Sequence, residues 1–144
     1  MTASAAVEAL PRNRLICEFS VWSADLVRLA DDMARIAPFA DVLHIDVADG
    51  HFAPAFLFFP DLVAALRKLS SAPIHVHLMV QDAILLEQIS QFAEAGANII
   101  SFHVEDAPVA TAALDALAAR HVSAGIVLRV DSPVATVAPY LPCL

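Results

Sequence analysis

Glycine, lysine and cysteine are scarce in this sequence. It has three glycines, two cysteines and a single lysine, Lys68. With so few glycines there is no glycine-rich run of the kind that wraps a phosphate. Cys17 and Cys143 lie near opposite ends of the chain without Cys-x-x-Cys spacing, which argues against both a disulfide framework and a zinc knuckle. We expect Cys17, which lies in an apolar run, to pack as a small hydrophobic residue.

Long apolar runs and basic patches are also missing. Polar residues interrupt every apolar stretch before it reaches the ~20 residues that a membrane-spanning helix needs. The first fourteen residues include Glu8 and lack the pattern of a signal peptide. A net charge of −8 would repel nucleic acid, whereas local backbone N–H groups can still bind a small anionic substrate. We therefore expect a cytoplasmic protein with no membrane or nucleic-acid partner.

Short apolar runs rich in β-branched residues alternate with helical patterns. This alternation predicts a parallel sheet with right-handed crossover helices. The stretch 108–119 is alanine-rich, Gly96 follows the third helical pattern as a C-cap would, and Ser132 before Pro133 predicts the N-cap and first turn of a further helix. The predicted strands lie near residues 15–21, 42–47, 74–79, 99–104 and 122–129. Apolar residues with helical spacing are Leu26, Leu29, Ala30, Met33 and Ala37, then Leu62, Leu66 and Leu69, then Leu85, Ile89 and Phe92.

Four of the predicted strands carry polar residues on one face only. Strands that are covered by helices on both faces are usually apolar throughout. A barrel accounts for the alternation, because one face of each strand points to the helices and the other into the lumen. We therefore predict an α/β fold, a partial (β/α)8 barrel of about five units, over residues 15–144, preceded by a flexible arm at 1–14. The residues on the polar face are Glu18 and Ser20, His44 and Asp46, His75, His77 and Met79, and Ser101, His103 and Glu105.

His44, Asp46 and His77 form the most informative group on that face. His44 and Asp46 are about 6.6 Å apart along one strand, and His77 lies on the next strand, about 4.8 Å away. Two imidazoles and a carboxylate that converge in this way predict a site for one divalent metal ion, such as Zn²⁺, Fe²⁺, Mn²⁺ or Co²⁺. A network of lumen side chains that bond to each other or to water remains the alternative. His75 lies deeper and fits a supporting role, and His51 fits a solvated loop.

Several segments resemble ribulose-phosphate 3-epimerases. The match extends over residues 15–140 with the segments in the order of that family. It implies a (β/α)8 barrel whose C-terminal units are missing here, a ketose-phosphate substrate and a divalent metal. The matching segments are His-Ile-Asp-Val-Ala-Asp-Gly-His-Phe-Ala-Pro at 44–54, Val-His-Leu-Met at 76–79, Ser-Val-Trp-Ser-Ala-Asp at 20–25, Ala-Gly-Ala-Asn-Ile-Ile-Ser-Phe-His-Val-Glu at 95–105 and Ala-Gly-Ile-Val-Leu at 124–128.

The resemblance also implies roles for individual residues. His44, Asp46 and His77 would bind the metal, Asp46 would act as the base, and Ser20 and His77 would contact the substrate. The reaction would be 3-epimerisation, such as ribulose 5-phosphate to xylulose 5-phosphate. A second acid, an aspartate of a later strand in the family, would return the proton to the opposite face. Because the sequence stops before such a strand, we expect poor stability, weak turnover or association with another copy.

Other functions remain to be weighed. A Schiff-base aldolase needs a lysine on a strand, whereas Lys68 follows Arg67 in a helical pattern. A non-enzymatic alternative is a catalytically inactive truncated fragment, or an oligomerisation partner that keeps the metal-site pattern. The aromatic segment 52–60, which follows the second strand, could serve as a substrate lid, a subunit contact or a plug over the barrel rim.

Overall fold

The computed structural model describes residues 7–105 and 109–144, and its centre is one parallel sheet. The five strands are β1 (Glu18–Ser20), β2 (Val42–Ala48), β3 (Ile74–Met79), β4 (Ile99–His103) and β5 (Ser123–Val127). Each strand pairs in parallel with the next one along the chain, in the order β1-β2-β3-β4-β5. A doubly wound sheet would reverse this order at a switch point. The sequential order confirms the predicted partial (β/α) barrel.

Within residues 7–105 and 109–144, four α-helices connect the strands. They are α1 (Leu29–Ile36), α2 (Pro60–Leu69), α3 (Asp82–Glu94) and α4 (Ala110–Ala119). Pro60 begins α2, where the missing N–H of proline costs nothing, and Gly96 follows α3 with a positive φ of 104° that suits glycine. Among the described residues, no helix is both long and apolar enough to cross a membrane.

The apolar core lies between the helices and one face of the sheet. Leu43 and Ile45 of β2 are almost completely buried, as are Leu66 of α2, Phe92 of α3 and Leu117 of α4. The other face of the strands carries the polar positions, most of which are only partly buried. This separation is the one that the alternating strand pattern predicts.

Two predictions around the first strand are wrong. The strand expected at 15–21 is limited to Glu18–Ser20, because Leu15 and Ile16 stay exposed and Val21–Ser23 form a short 3-10 turn. Cys17 is exposed rather than packed. Its backbone N–H donates to the Asp41 carboxylate, so polar bonding rather than burial of the thiol fixes this position.

Several element ends also differ from the prediction. The first helix begins at Leu29, because Leu26 is half exposed and contributes little to the core. The helix predicted to open at Ser132 is reduced to a 3-10 helix at Val134–Val137, and the Ser132 hydroxyl bonds to Glu105 instead of capping a helix. Residue 108, the expected start of the fourth helix, lies outside the described residues. Residues 1–6 of the proposed N-terminal arm lie outside them as well.

Candidate metal centre

The register of the sheet brings the polar positions of four strands together in two adjacent rows on one face. Ser20 pairs with His44, and Asp46 pairs with His77. His77 in turn pairs with Ser101 on β4. Paired residues on neighbouring parallel strands point to the same face. These side chains therefore meet on the polar face, as the sequence pattern predicts.

The carboxylate of Asp46 lies at the centre of this group. Its Oδ1 atom is 3.1 Å from His44 Nε2 and 3.4 Å from His77 Nδ1. Its other oxygen, Oδ2, accepts a hydrogen bond of 3.3 Å from the Ser20 hydroxyl. The three side chains of Asp46, His44 and His77 are 16%, 22% and 17% exposed, so a small ion or substrate can reach them. The two oxygens of Asp46 thus have different surroundings.

The spacing of these atoms fits a shared cation. Ligand atoms about 2.1 Å from one ion are roughly 3.0 Å apart in octahedral and 3.4 Å apart in tetrahedral geometry. The two distances to Asp46 Oδ1, 3.1 and 3.4 Å, fall in this interval. Nitrogen and carboxylate ligands of this type suit a divalent transition metal. The group of His44, Asp46 and His77, whose ligand atoms all lie within 4.8 Å of one another, therefore could hold a metal ion.

Glu18 supports His44 from the side away from Asp46. Its Oε1 atom lies 2.8 Å from His44 Nδ1 and 2.6 Å from His75 Nδ1. His75 Nε2 lies 2.8 Å from the Ser101 hydroxyl. The hydrogen bonds from His44 and His75 hold the pKa of Glu18 well below its usual range. In return, the Glu18 carboxylate raises the pKa of His44, against the opposite effect of burial.

His77 is supported by a second histidine. His77 Nε2 lies 3.1 Å from His103 Nε2, and the two rings are stacked with centroids 5.2 Å apart. Burial lowers the pKa of His77, and the nearby His103 lowers it further, so His77 favours the neutral form that binds metals. Burial also lowers the pKa of His103. His103 Nδ1 in turn lies 3.3 Å from Glu105 Oε2.

Glu105 connects this network to the end of β5. Its Oε1 atom accepts hydrogen bonds from the backbone N–H of Arg129 and from the Ser132 hydroxyl, the latter at 2.7 Å. Burial would raise the pKa of Glu105, but these two hydrogen bonds bring it below its usual value. Glu105 is therefore an ionised acceptor behind His103. Sequence inspection placed Glu105 on the polar face without a role.

The loop after β2 is held beside the site by Asp49. Its Oδ1 accepts the backbone N–H groups of His51 and Phe52, both at 2.8 Å, and its Oδ2 accepts that of Gln81 at 2.9 Å. Asp49 lies in the segment singled out from the sequence, but its clamping role was missed. An aspartate followed by glycine after a strand is a turn signal that could have indicated it.

The aromatic segment that follows is divided between the site and the surface. The Phe52 ring lies 4.6 Å from the His103 ring, and the Arg129 guanidinium lies 4.2 Å above the Phe52 ring. Phe56 and Phe59 are largely exposed, at 84% and 59%. Phe52, at the start of the segment, is thus the part that contacts His103, whereas Phe58 packs partly buried against the core. A cavity of about 440 Å³ opens beside Phe52, lined by His51, Phe52, Gln81, Asp82, Ala83, His103 and Arg129.

Comparisons with known proteins show which proteins this chain resembles. Residues 16–144 match the model of the Ribulose-phosphate 3 epimerase family. The chain is 37% identical over 116 residues to "Ribulose-phosphate 3-epimerase" of Bacillus subtilis (strain 168), which covers 80% of this chain and 52% of the relative. It is 38% identical over 116 residues to the protein of the same name from Escherichia coli (strain K12), with 79% and 51% covered.

A third relative extends the comparison. "Ribulose-phosphate 3-epimerase 1" of Cupriavidus necator is 41% identical over 115 residues, which is 79% of this chain and 47% of the relative. The chain thus spans about half the length of the curated relatives it matches.

Proposed function

The chain belongs to the ribulose-phosphate 3-epimerase family, and from this premise we propose that it takes part in the 3-epimerisation of a ketose phosphate. Ribulose 5-phosphate is the substrate that the names of the relatives suggest. The enzyme class is an isomerase that works with one divalent metal ion. A cytoplasmic location fits this class of reaction and stays a prediction.

One observation carries the proposal, namely the unequal surroundings of the two Asp46 oxygens. Asp46 Oδ1 lies near His44 Nε2 and His77 Nδ1, whereas Oδ2 lies near the Ser20 hydroxyl. Under the proposal, His44, Asp46 and His77 hold the cation through the first set of atoms. A bound divalent cation supplies Lewis-acid stabilisation of the negative charge that develops on the oxygens of a ketose when the adjacent carbon loses its proton.

The free oxygen of Asp46 is the proposed base. The substrate carbon next to the ketone gives its proton to Asp46 Oδ2, and the Ser20 hydroxyl keeps this oxygen oriented. The Ser20 hydroxyl oxygen, which can still accept a hydrogen bond, is the proposed contact for a substrate hydroxyl. The substrate contact expected for His77 would require its Nε2 to leave His103, because Nδ1 faces Asp46 and the cation. Inversion also requires an acid on the opposite face, because a single base returns the proton to the face from which it came.

Deuterium exchange tests proton removal separately from inversion. The chain is loaded with Co²⁺ or Zn²⁺ and incubated with ribulose 5-phosphate in D₂O, and deuterium at C3 is followed by NMR beside a coupled assay for xylulose 5-phosphate. We expect metal-dependent exchange that exceeds net turnover and is lost in Asp46→Asn. Asp61→Asn, at an exposed carboxylate of α2, is the matched control and should exchange as the parent does. A folded, metal-loaded chain that exchanges no C3 proton would contradict the proposal.

The alternative function is a non-catalytic chain that associates with another copy. The observation that favours association is the sheet itself, in which β1 and β5 are edge strands within the described residues. Edge strands expose unpaired N–H and C=O groups that another chain can use. Light scattering during chromatography gives the oligomeric state. A self-associated chain that binds metal and exchanges no proton would support this alternative.

A further inference from the structure

The carboxylate of Glu18 contacts two imidazoles at once, and only one of them belongs to the candidate metal centre. Oε1 of Glu18 lies within hydrogen-bonding distance of the Nδ1 atoms of both His44 and His75. An ionised carboxylate only accepts hydrogen bonds, so each of these nitrogens must carry a proton. The bonds are short, which is typical of charge-assisted hydrogen bonds.

We infer that Glu18 is a positioning residue that holds a proton on Nδ1 of both His44 and His75. Asp46 Oδ1, 3.1 Å from His44 Nε2, competes for the proton of His44, and with that proton on Nδ1 the Nε2 lone pair is available to a cation beside Asp46. The inference rests on the proposed function only for the identity of the group that His44 Nε2 binds. A metal-binding histidine commonly donates its other N–H to a carboxylate, which sets the tautomer and the ring orientation.

The second imidazole completes the hydrogen bonding without a metal. With the Nδ1 proton of His75 bonded to Glu18, His75 Nε2 is an acceptor, and the Ser101 hydroxyl donates to it at 2.8 Å. The rings of His44 and His75 meet edge to face at 4.8 Å, which holds both in place. Glu18 of β1, His75 of β3 and Ser101 of β4 therefore form a bracket that supports His44 of β2.

A second cation between Glu18, His44 and His75 is the competing explanation, because these groups also lie close together. Two observations oppose it. The Glu18 contacts of 2.8 and 2.6 Å are shorter than the roughly 3.0–3.4 Å that separates ligands of one ion. A neutral imidazole also has only one free lone pair, so His44 cannot bind one ion through each nitrogen.

Nitrogen-15 NMR of the imidazoles tests the tautomers directly. Long-range proton–nitrogen spectra of the chain are recorded metal-free at about pH 9, where neutral imidazoles dominate, and again with Zn²⁺. We expect the Nδ1–H form for His44 and His75 in both samples. His44 as the Nε2–H form in the metal-free chain would overturn the inference. Since this sample contains no metal, a failure of the proposed function would not affect the result.

Metal affinity provides the second measurement. We expect Zn²⁺ binding to weaken by about 10–100-fold in Glu18→Ala, with a loss of the single His44 tautomer. Glu18→Gln has nearly the same shape and retains a neutral acceptor, so its Zn²⁺ affinity should fall by less. It replaces Glu18→Ala as the test variant if Glu18→Ala does not fold. Glu94→Ala, at an exposed acid of α3, is the control for a lost negative charge. An unchanged tautomer and affinity in folded Glu18→Gln and Glu18→Ala would overturn the inference.

The stoichiometry separates the bracket from a second metal site. With the bracket, the parent chain binds one Zn²⁺ and His75→Asn still binds one. A parent that binds two ions, one of which is lost in His75→Asn, would show that the Glu18 group is itself a cation site and would overturn the inference.

Discussion

The Nε2 atoms of His77 and His103 lie 3.1 Å apart and form one hydrogen bond between two imidazoles. One nitrogen must donate and the other must accept. If His77 Nδ1 faces a cation beside Asp46, His77 Nε2 carries the proton and His103 Nε2 accepts it. The His103 proton then lies on Nδ1, which is 3.3 Å from Glu105 Oε2.

A hydrogen bond donated by His77 to His103 also suggests a partner for each of two buried polar atoms. Within the described residues, His103 Nδ1 and Glu105 Oε2 are buried and make no hydrogen bond. A small rotation of either group would join them in a donor–acceptor pair. Each imidazole of the candidate metal centre would then be connected to a carboxylate, His44 directly to Glu18 and His77 through His103 to Glu105.

Replacement of His103 tests this second connection. His103→Phe keeps a ring of similar size but removes the acceptor for His77 Nε2, so we expect Zn²⁺ affinity to fall by about tenfold, roughly 1.4 kcal/mol. His103→Gln retains an acceptor for His77 Nε2, so its Zn²⁺ affinity should fall by less than that of His103→Phe. Isothermal titration gives the affinities, and His121→Asn, at an exposed histidine with positive φ that asparagine tolerates, is the control. Equal affinity in His103→Phe and the parent would contradict the connection.

The close approach of β4 and β5 at Gly125 gives a prediction about stability. A Cβ atom at Gly125 would lie 2.9 Å from the Cβ of Ser101 and 3.5 Å from its Cα. Gly125→Ala must therefore push the strands apart, and we expect a loss of about 1–3 kcal/mol in the free energy of unfolding. Urea unfolding measures the loss.

A double substitution tests the cause of that loss. Ser101→Gly removes the nearest atom, so in its presence Gly125→Ala should cost much less, with Ser101→Gly alone as the reference. The same loss in both backgrounds would show that the contact with Ser101 is not its cause.

The ion pair between Arg14 and Asp41 predicts a dependence of stability on pH. The bidentate contact of 2.6 and 2.8 Å, with the Cys17 N–H, lowers the pKa of Asp41 to about 2. Because this is below the unfolded value of about 3.9, the stabilisation is complete above that value and is lost as the pH falls toward 2. Urea midpoints between pH 5 and 2 should fall less steeply in Asp41→Asn than in the parent. Equal slopes would exclude this contribution.

The sheet and its polar face could be predicted because they follow from periodicity. β2, β3 and β4 alternate apolar and polar residues, and burial of the apolar set places the other set on the opposite face. The first strand was predicted too long because the apolar residues Leu15 and Ile16 suggested burial, whereas the structure leaves them exposed.

The hydrogen bonds around the centre could not be predicted in the same way. The bracket of Glu18 and His75 joins positions 57 residues apart, and it depends on strand register and on side-chain rotamers. Ser132 illustrates this limit of prediction from local sequence. A serine before a proline indicates a helix start, and yet the Ser132 hydroxyl bonds to Glu105. Local patterns indicate which residues share a face, whereas the pairing of their atoms is a tertiary property.

The most direct test of the shared cation is a Co²⁺ titration followed by visible absorption. We expect one Co²⁺ per chain, with a d–d spectrum typical of nitrogen and oxygen ligands. His44→Ala, Asp46→Asn and His77→Ala should each abolish or strongly weaken it, while Asp61→Asn leaves it unchanged. Stoichiometric Co²⁺ binding with the parent spectrum in all three variants would contradict a metal centre formed by His44, Asp46 and His77.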